Sequence, residues 1–178
     1  MKLAPLSLMP ALALGCWDVG KGADAHIPGD ELGTYAVVAT KANSSCGAGA
    51  LAAPDKWPFE VRLSRQDPDL WWLNGREAVY GRIAQDGISF SFETWLQQEL
   101  EPGGGARAPC RVTRADRAHG ALSSPTLDVE SFRATLAYAY AVAEGADCTE
   151  ASPRLGLPPL PCELSFDLLA ERTVAPSR

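Results

Sequence analysis

Apolar and polar residues alternate with a period of two over four stretches of the chain. Tyr35, Val37 and Ala39 share one side of the first, and Phe59, Val61 and Leu63 oppose Glu60, Arg62 and Ser64 in the second. Ile88, Phe90 and Phe92 interleave with Ser89, Ser91 and Glu93, and Cys162, Leu164, Phe166 and Leu168 with Glu163, Ser165 and Asp167. Successive side chains of a strand point to opposite faces, so each stretch predicts a strand with one buried and one solvated face. Shorter runs at Leu70–Leu73, Ala78–Ile83, Cys110–Thr113 and Gly120–Ser123 add further strands. Asn74-Gly75 and Asp86-Gly87 supply the positive φ angles of tight hairpins, so Leu70 to Trp95 reads as a three-stranded meander.

Two segments allow more than one period. Ser131 to Ala143 is rich in alanine, as a helix would be, yet Phe132, Leu136, Tyr138, Tyr140 and Val142 all fall on even positions. A helix would set Tyr138 and Tyr140 about 200° apart, whereas a strand puts them together, so a strand is expected. In Thr94–Leu100 the four-residue spacing of Leu96 and Leu100 suggests a short helix. Glu101–Pro109, with Gly103-Gly104-Gly105, reads as a flexible loop. The sum is an all-β domain of eight or nine antiparallel strands, a barrel or a sandwich, occupying 33–174. At 178 residues the chain holds about one domain. Sixteen Gly and 14 Pro favour many short elements over a few long helices, and no repeat marks a propeller or solenoid.

The first sixteen residues have a different character. Lys2 precedes an apolar run from Leu3 to Leu14, followed by Gly15 and Cys16. This outline of an export signal resembles a bacterial lipoprotein signal, although Ala13 stands three residues before the cysteine where a Leu is usual. The resemblance implies that 1–15 are removed and that Cys16 is lipidated; a secretory signal cut near Ala13 or Gly15 is the alternative. Residues 16–32, with their glycines and acidic residues, then form a tether. Several acyl chains, each burying methylenes at roughly 0.8 kcal/mol apiece, would hold the protein to a membrane without any membrane-binding face on the domain. No other run approaches the roughly 20 apolar residues of a spanning helix.

Cysteine content agrees with export. Setting Cys16 aside leaves Cys46, Cys110, Cys148 and Cys162, an even number with no Cys-x-x-Cys spacing, which predicts two disulfides rather than a zinc or redox site. Of the three possible connectivities, Cys148–Cys162 with Cys46–Cys110 is favoured, because the first pair flanks a loop between consecutive strands. Sixteen basic against 22 acidic residues, a formal charge of −6, is the wrong sign for tracking phosphate backbones, so nucleic acid is an unexpected partner.

Candidate chemistry is sparse. His26, in the tether, and His119 are the two histidines, and no nucleophile elbow, zinc-protease, phosphate-loop or dinucleotide motif occurs. A triad would have to use His119 with Asp116, three residues away in what reads as a turn. Asp67-Pro68-Asp69 reads as another turn, its carboxylates capping backbone groups, rather than an acid/base pair. No metal, cofactor or enzymatic activity is expected. The aromatic residues offer more. Trp71 and Trp72 are adjacent on a strand, so one faces out unless a loop such as Glu101–Pro109 covers it. Trp71, Trp72, Tyr138 and Tyr140 are the candidate ligand-binding residues.

At Gly33-Thr34-Tyr35 the first strand opens with Gly-x-aromatic, similar to the Gly-x-Trp that opens the first strand of lipocalins, with Tyr35 in the place of the Trp. That resemblance implies a lipocalin-like barrel. With 12 Arg against 4 Lys the whole chain also resembles single-domain lipoproteins of GC-rich bacteria, which implies an envelope location, periplasmic or at the outer surface, and carries no activity with it. The expectation is a lipid-anchored binding module for a small apolar molecule. The alternative is an interaction lipoprotein with a packed core that meets an envelope protein or polysaccharide through exposed aromatics.

Overall fold

The computed structural model describes residues 28–47, 54–75, 78–105 and 107–175. The expected signal segment, Cys16, His26 and most of the tether lie outside them. Eight strands form a closed antiparallel barrel in chain order: β1 (Asp30–Ser44), β2 (Lys56–Gln66), β3 (Asp69–Leu73), β4 (Ala78–Ile83), β5 (Ser89–Glu101), β6 (Cys110–Leu122), β7 (Ser131–Val142) and β8 (Cys162–Val174). Each strand pairs with the next, and β8 returns to β1 along Thr34–Ser44. The barrel expectation therefore holds, and closure leaves the sheet without the free edge strands of a sandwich.

The four alternating stretches are β1, β2, β5 and β8, and their apolar residues fill the interior: Tyr35, Val37, Val61, Leu63, Phe90, Phe92, Phe166 and Leu168 are all buried. Ser131–Val142 is the expected strand, with Phe132 buried. β1 starts at Asp30, inside the segment read as tether, and Leu32 is buried.

Two readings are corrected. The helix expected at Thr94–Leu100 is the second half of β5. A spacing of four residues suits one face of a helix and, being even, one face of a strand equally well, and pairing with β6 from Leu96↔Arg114 to Gln98↔Val112 decides it. Cys110–Thr113 and Gly120–Ser123, read as separate runs, belong to the single strand β6, whose middle carries Arg114 and Asp116 at positions expected to be apolar.

The two ends of the barrel differ. At one end Leu32, Leu70, Leu122, Val129 and Phe132 pack together beneath the Tyr35 ring. The Tyr35 hydroxyl donates to the carbonyl oxygens of Val129, 2.8 Å away, and Leu32, 3.2 Å away. Arg65, 7% exposed, plugs the same end: it donates from Nε to Asp67 and from a terminal nitrogen to the carbonyls of Gly87 and Pro125, holding three turns together. Gly120 is needed in this half because a Cβ there would collide with the Arg133 carbonyl and the Ala134 side chain on β7. The Asp67–Pro68–Asp69 turn is present, but its carboxylates do not cap backbone. Asp67 accepts from Arg65, and Asp69 accepts from the Tyr80 hydroxyl.

Both disulfides stand at the opposite end, and their pairing differs from the favoured one. Cys46 bonds Cys162 and Cys110 bonds Cys148. Barrel closure explains this, since the end of β1 lies beside the start of β8, with the Ser45 amide donating to the Glu163 carbonyl at 2.8 Å. Cys46 and Cys162, 116 positions apart, thereby come within a Cα separation of 5.0 Å. The Asp147 amide donates to the Pro109 carbonyl, which sets Cys148 beside Cys110 at the start of β6. Proximity along the chain favours the wrong partners because the 143–161 connection, with helix α1 (Ala151–Leu155), folds over the barrel rim instead of forming a hairpin.

Two outcomes follow. The four cysteines lie in four different tryptic peptides, so a non-reducing digest should yield Cys46 joined to Cys162 and Cys110 joined to Cys148 by mass spectrometry; removal of the Cys46–Cys162 bridge should cost about 2–4 kcal/mol in urea denaturation. Burial raises the Tyr35 hydroxyl above its ordinary value. Its contribution to stability is complete below the unfolded-state value of about 10 and is lost as pH rises through the folded one. Tyr35→Phe should lower stability near neutrality by about 1–3 kcal/mol, leaving two carbonyls without their donor, and should flatten the fall of the urea midpoint at alkaline pH.

Candidate functional site

A cavity of about 340 Å³ opens at the disulfide end of the barrel. Its entrance results from unequal strand lengths. β3 ends at Leu73 and β4 begins at Ala78, and β2 pairs with β3 only over Arg62–Gln66 and β4 with β5 only over Gly81–Ile83. Among the described residues, β2 from Lys56 to Val61 and the far half of β5 have no strand on this side, so the wall is low and the interior is reached above the hairpin.

One wall of the cavity is aromatic. Trp57 and Phe59 from β2, Trp72 from β3 and Phe92 from β5 line it, with Phe166 of β8 behind. The Trp57 ring meets Phe166 edge-on at 4.3 Å and stacks near Phe59 at 6.2 Å; Trp72 lies 6.3 Å from Phe59 and 5.6 Å, edge-on, from Phe92. Edge-to-face contacts of this kind fix ring positions and hold the surface rigid. The facing wall comes from β5, β6 and β7 and carries most of the polar groups, Thr94, Arg114, Asp116 and Tyr138, with Ala118 and Leu136 below them; Asn74, directly after β3, is a further polar lining residue.

Arg114 and Asp116 are two residues apart on one strand and so share its inner face. The pair is bidentate, Arg114 Nε donating to Asp116 Oδ1 at 2.6 Å and a terminal nitrogen to Oδ2 at 2.7 Å. The guanidinium also lies 5.3 Å from the Tyr138 ring centroid. The Asp116 hydrogen bonds raise the Arg114 pKa further above its usual value, against the opposing effect of burial. Burial likewise raises the Tyr138 and Tyr140 hydroxyls, with the Asp116 charge adding to the shift and Arg114 reducing it. Both phenols remain neutral at physiological pH. Beyond Arg114 a second pocket, of about 130 Å³, lies between Leu96, Leu100 and Val112 on one side and Leu157, Pro158 and Leu160 of the 143–161 connection on the other. Glu101 accepts from Arg154 of α1 at 2.6 Å and from Arg107 at 2.9 Å, tying that connection and the 102–109 loop to the end of β5.

The expected ligand-binding residues divide. Trp72 and Tyr138 meet across the main cavity, and Tyr140 lines the smaller pocket with Arg114. Trp71, of opposite parity to Trp72, is on the outside of β3, half-buried against Tyr80 with ring centroids 6.2 Å apart, and no part of either pocket. Trp57, Phe59, Arg114 and Asp116 were not among the expected site residues. Trp57 and Phe59 continue the alternation of β2; the signal of Arg114 and Asp116 is a failure of the pattern, since a strand bearing an arginine and an aspartate at interior positions places polar groups where packing alone would put apolar ones. His119 is exposed on the outer face of β6, opposite to Asp116, so the two do not pair, and the turn expected there is a strand. Among the described residues no three His, Cys, Asp or Glu side chains form a metal-binding group, and no helix is long and apolar enough to cross a membrane.

A scan against protein-family models, a search of curated proteins and a search of solved structures each gave no match.

Proposed function

We propose that the protein is a carrier or sensor of a small, largely apolar molecule, held in the mouth of a lipocalin-like barrel and kept in the bacterial envelope by a lipid on Cys16. The observation that carries the binding reading is the aromatic-walled cavity of about 340 Å³ with its few polar groups. Ligand pockets generally measure about 300–1,000 Å³ and combine apolar walls with a few placed polar groups. A packed interaction module would have no use for an unfilled volume here, because an interior void forfeits the contacts that a larger side chain would supply. Ala118 and Thr94 leave that space where larger residues would close it.

The alternative, an interaction lipoprotein, has one observation of its own. Trp95 on the outer face of β5 is 66% exposed, under the Arg117 guanidinium at 5.5 Å. A binding measurement separates the two. N-phenyl-1-naphthylamine should bind the full chain with micromolar or tighter affinity, read by its fluorescence, and Ala118→Leu should weaken binding by at least about tenfold, equivalent to about 1.4 kcal/mol, while circular dichroism shows the barrel intact. Binding unaffected by Ala118→Leu would place the probe elsewhere, and no binding at all would leave the interaction reading. Mass spectrometry of protein expressed in a bacterial envelope should show an acyl increment on the wild type that is missing from Cys16→Ser.

A further inference from the structure

The charged groups in the cavity wall restrict what the mouth accepts. Arg114 and Asp116 line it together, and their charges are paired through two charge-assisted hydrogen bonds of 2.6 and 2.7 Å. No other residue lining the main cavity carries a formal charge, so the wall is neutral overall. An anion approaching the guanidinium would meet the Asp116 carboxylate beside it. A cation approaching the carboxylate would meet Arg114. Neither charge could enter without breaking the pair or losing water for no net attraction, and in a partly desolvated site such costs outweigh one hydrogen bond.

An uncharged guest has no such conflict. Rings from Trp57, Phe59 and Trp72, successively inclined by 26° and 34°, offer an aromatic surface to an aromatic guest, while Tyr138 and Thr94 bring hydroxyl groups to the opposite wall. We propose that the barrel mouth selects uncharged aromatic ligands over anionic ones of the same shape, and that Asp116, by pairing with Arg114, sets this selectivity. The inference rests on the carrier reading and names the class of ligand for that site. Asp116 acts here as a specificity-determining residue: its carboxylate turns what would be an arginine anion site into a neutral one. The bidentate geometry matters because it takes the side-on fork of the guanidinium and sets a carboxylate charge beside the N–H groups that remain, so that a carboxylate, sulfonate or phosphate approaching them meets a neutralised arginine.

Two probes with a common body make the test. N-phenyl-1-naphthylamine is uncharged, and 8-anilino-1-naphthalenesulfonate adds a sulfonate to the same ring system. Only the part of each signal abolished by Ala118→Leu is counted, which removes binding to exposed apolar surface. The wild-type chain should bind the neutral probe at least about tenfold more tightly than the sulfonate. Asp116→Asn should strengthen sulfonate binding by about tenfold or more while moving the neutral probe by less than about threefold, because it frees the Arg114 charge without changing the shape of the wall. The double variant Arg114→Gln/Asp116→Asn restores a neutral wall and should restore the preference for the neutral probe. That variant also carries the test if Asp116→Asn alone does not fold. Equal affinities for the two probes in the wild type would overturn the inference, as would an unchanged ratio in Asp116→Asn, and both outcomes would leave the carrier reading standing. Failure of both probes to bind would remove the carrier reading and the selectivity with it.

Discussion

Closure of β8 onto β1 is the constraint from which the rest of the structure follows. Once Val38 lies opposite Leu169 and Thr40 opposite Asp167, and each remaining strand pairs with its neighbour, the parity of every residue is fixed around the ring. A slip of one residue at any pairing would turn a whole strand inside out. Tyr35 and Phe166 would then face water, and Glu163 and Glu171 the core. The β1 bulge between Glu31 and Gly33 absorbs one residue without spreading the shift and allows Leu32 to turn into the closed end. A closed barrel with buried aromatic residues at one end and a short hairpin at the other is thus one structure with two functions: a packed base and an accessible mouth.

The disulfides belong to the mouth rather than the base. Leu32, Tyr35, Leu70 and Phe132 hold the closed end through burial, and Arg65 fastens its turns. The open end has less apolar contact to rely on. Cys110, Cys148 and Ala151 form only a small satellite cluster, with Leu100, Val112 and Leu157 at its margin. Cross-links there compensate for what packing cannot supply, because an open cavity is space without stabilising contacts. The bridges lie on the β6, β8 and β1 side, whereas the low wall lies between β2 and β5, so the rim is fastened on one side and open on the other.

How far the sequence could be read depended on the same division. β1, β2, β5 and β8 were legible because their interior residues are apolar and their exterior residues polar, which is the period of a half-buried strand. β7 was legible through the parity of Phe132, Leu136 and Tyr138 despite its alanines. β6 was not, because Arg114 and Asp116 interrupt its apolar face and leave only its two ends recognisable. The disulfide pairing was hidden for another reason: it depends on which strand ends closure brings together, and local sequence contains no record of that. Trp57 is one of several large aromatic residues in the sequence, and nothing local marks it as facing a cavity, since that depends on the shortness of the neighbouring β3. The residues that broke the pattern, Arg114 and Asp116, both line the site.

An arginine–aspartate pair inside a barrel is a poor means of adding stability. Moving two charges out of water costs several kcal/mol per ion when burial is complete, and apolar residues of similar volume often replace such pairs without loss. Here burial is partial, with side-chain exposures of 37% for Arg114 and 22% for Asp116, which reduces both the cost and the gain. The pair contributes little that a leucine and a valine could not provide as packing. What those residues could not provide is a polar, hydrogen-bonding wall of zero net charge facing three aromatic rings. The energetic argument and the geometry therefore agree: packing does not account for the polar interruption of β6, which stands across from the low wall where the core is left unfilled.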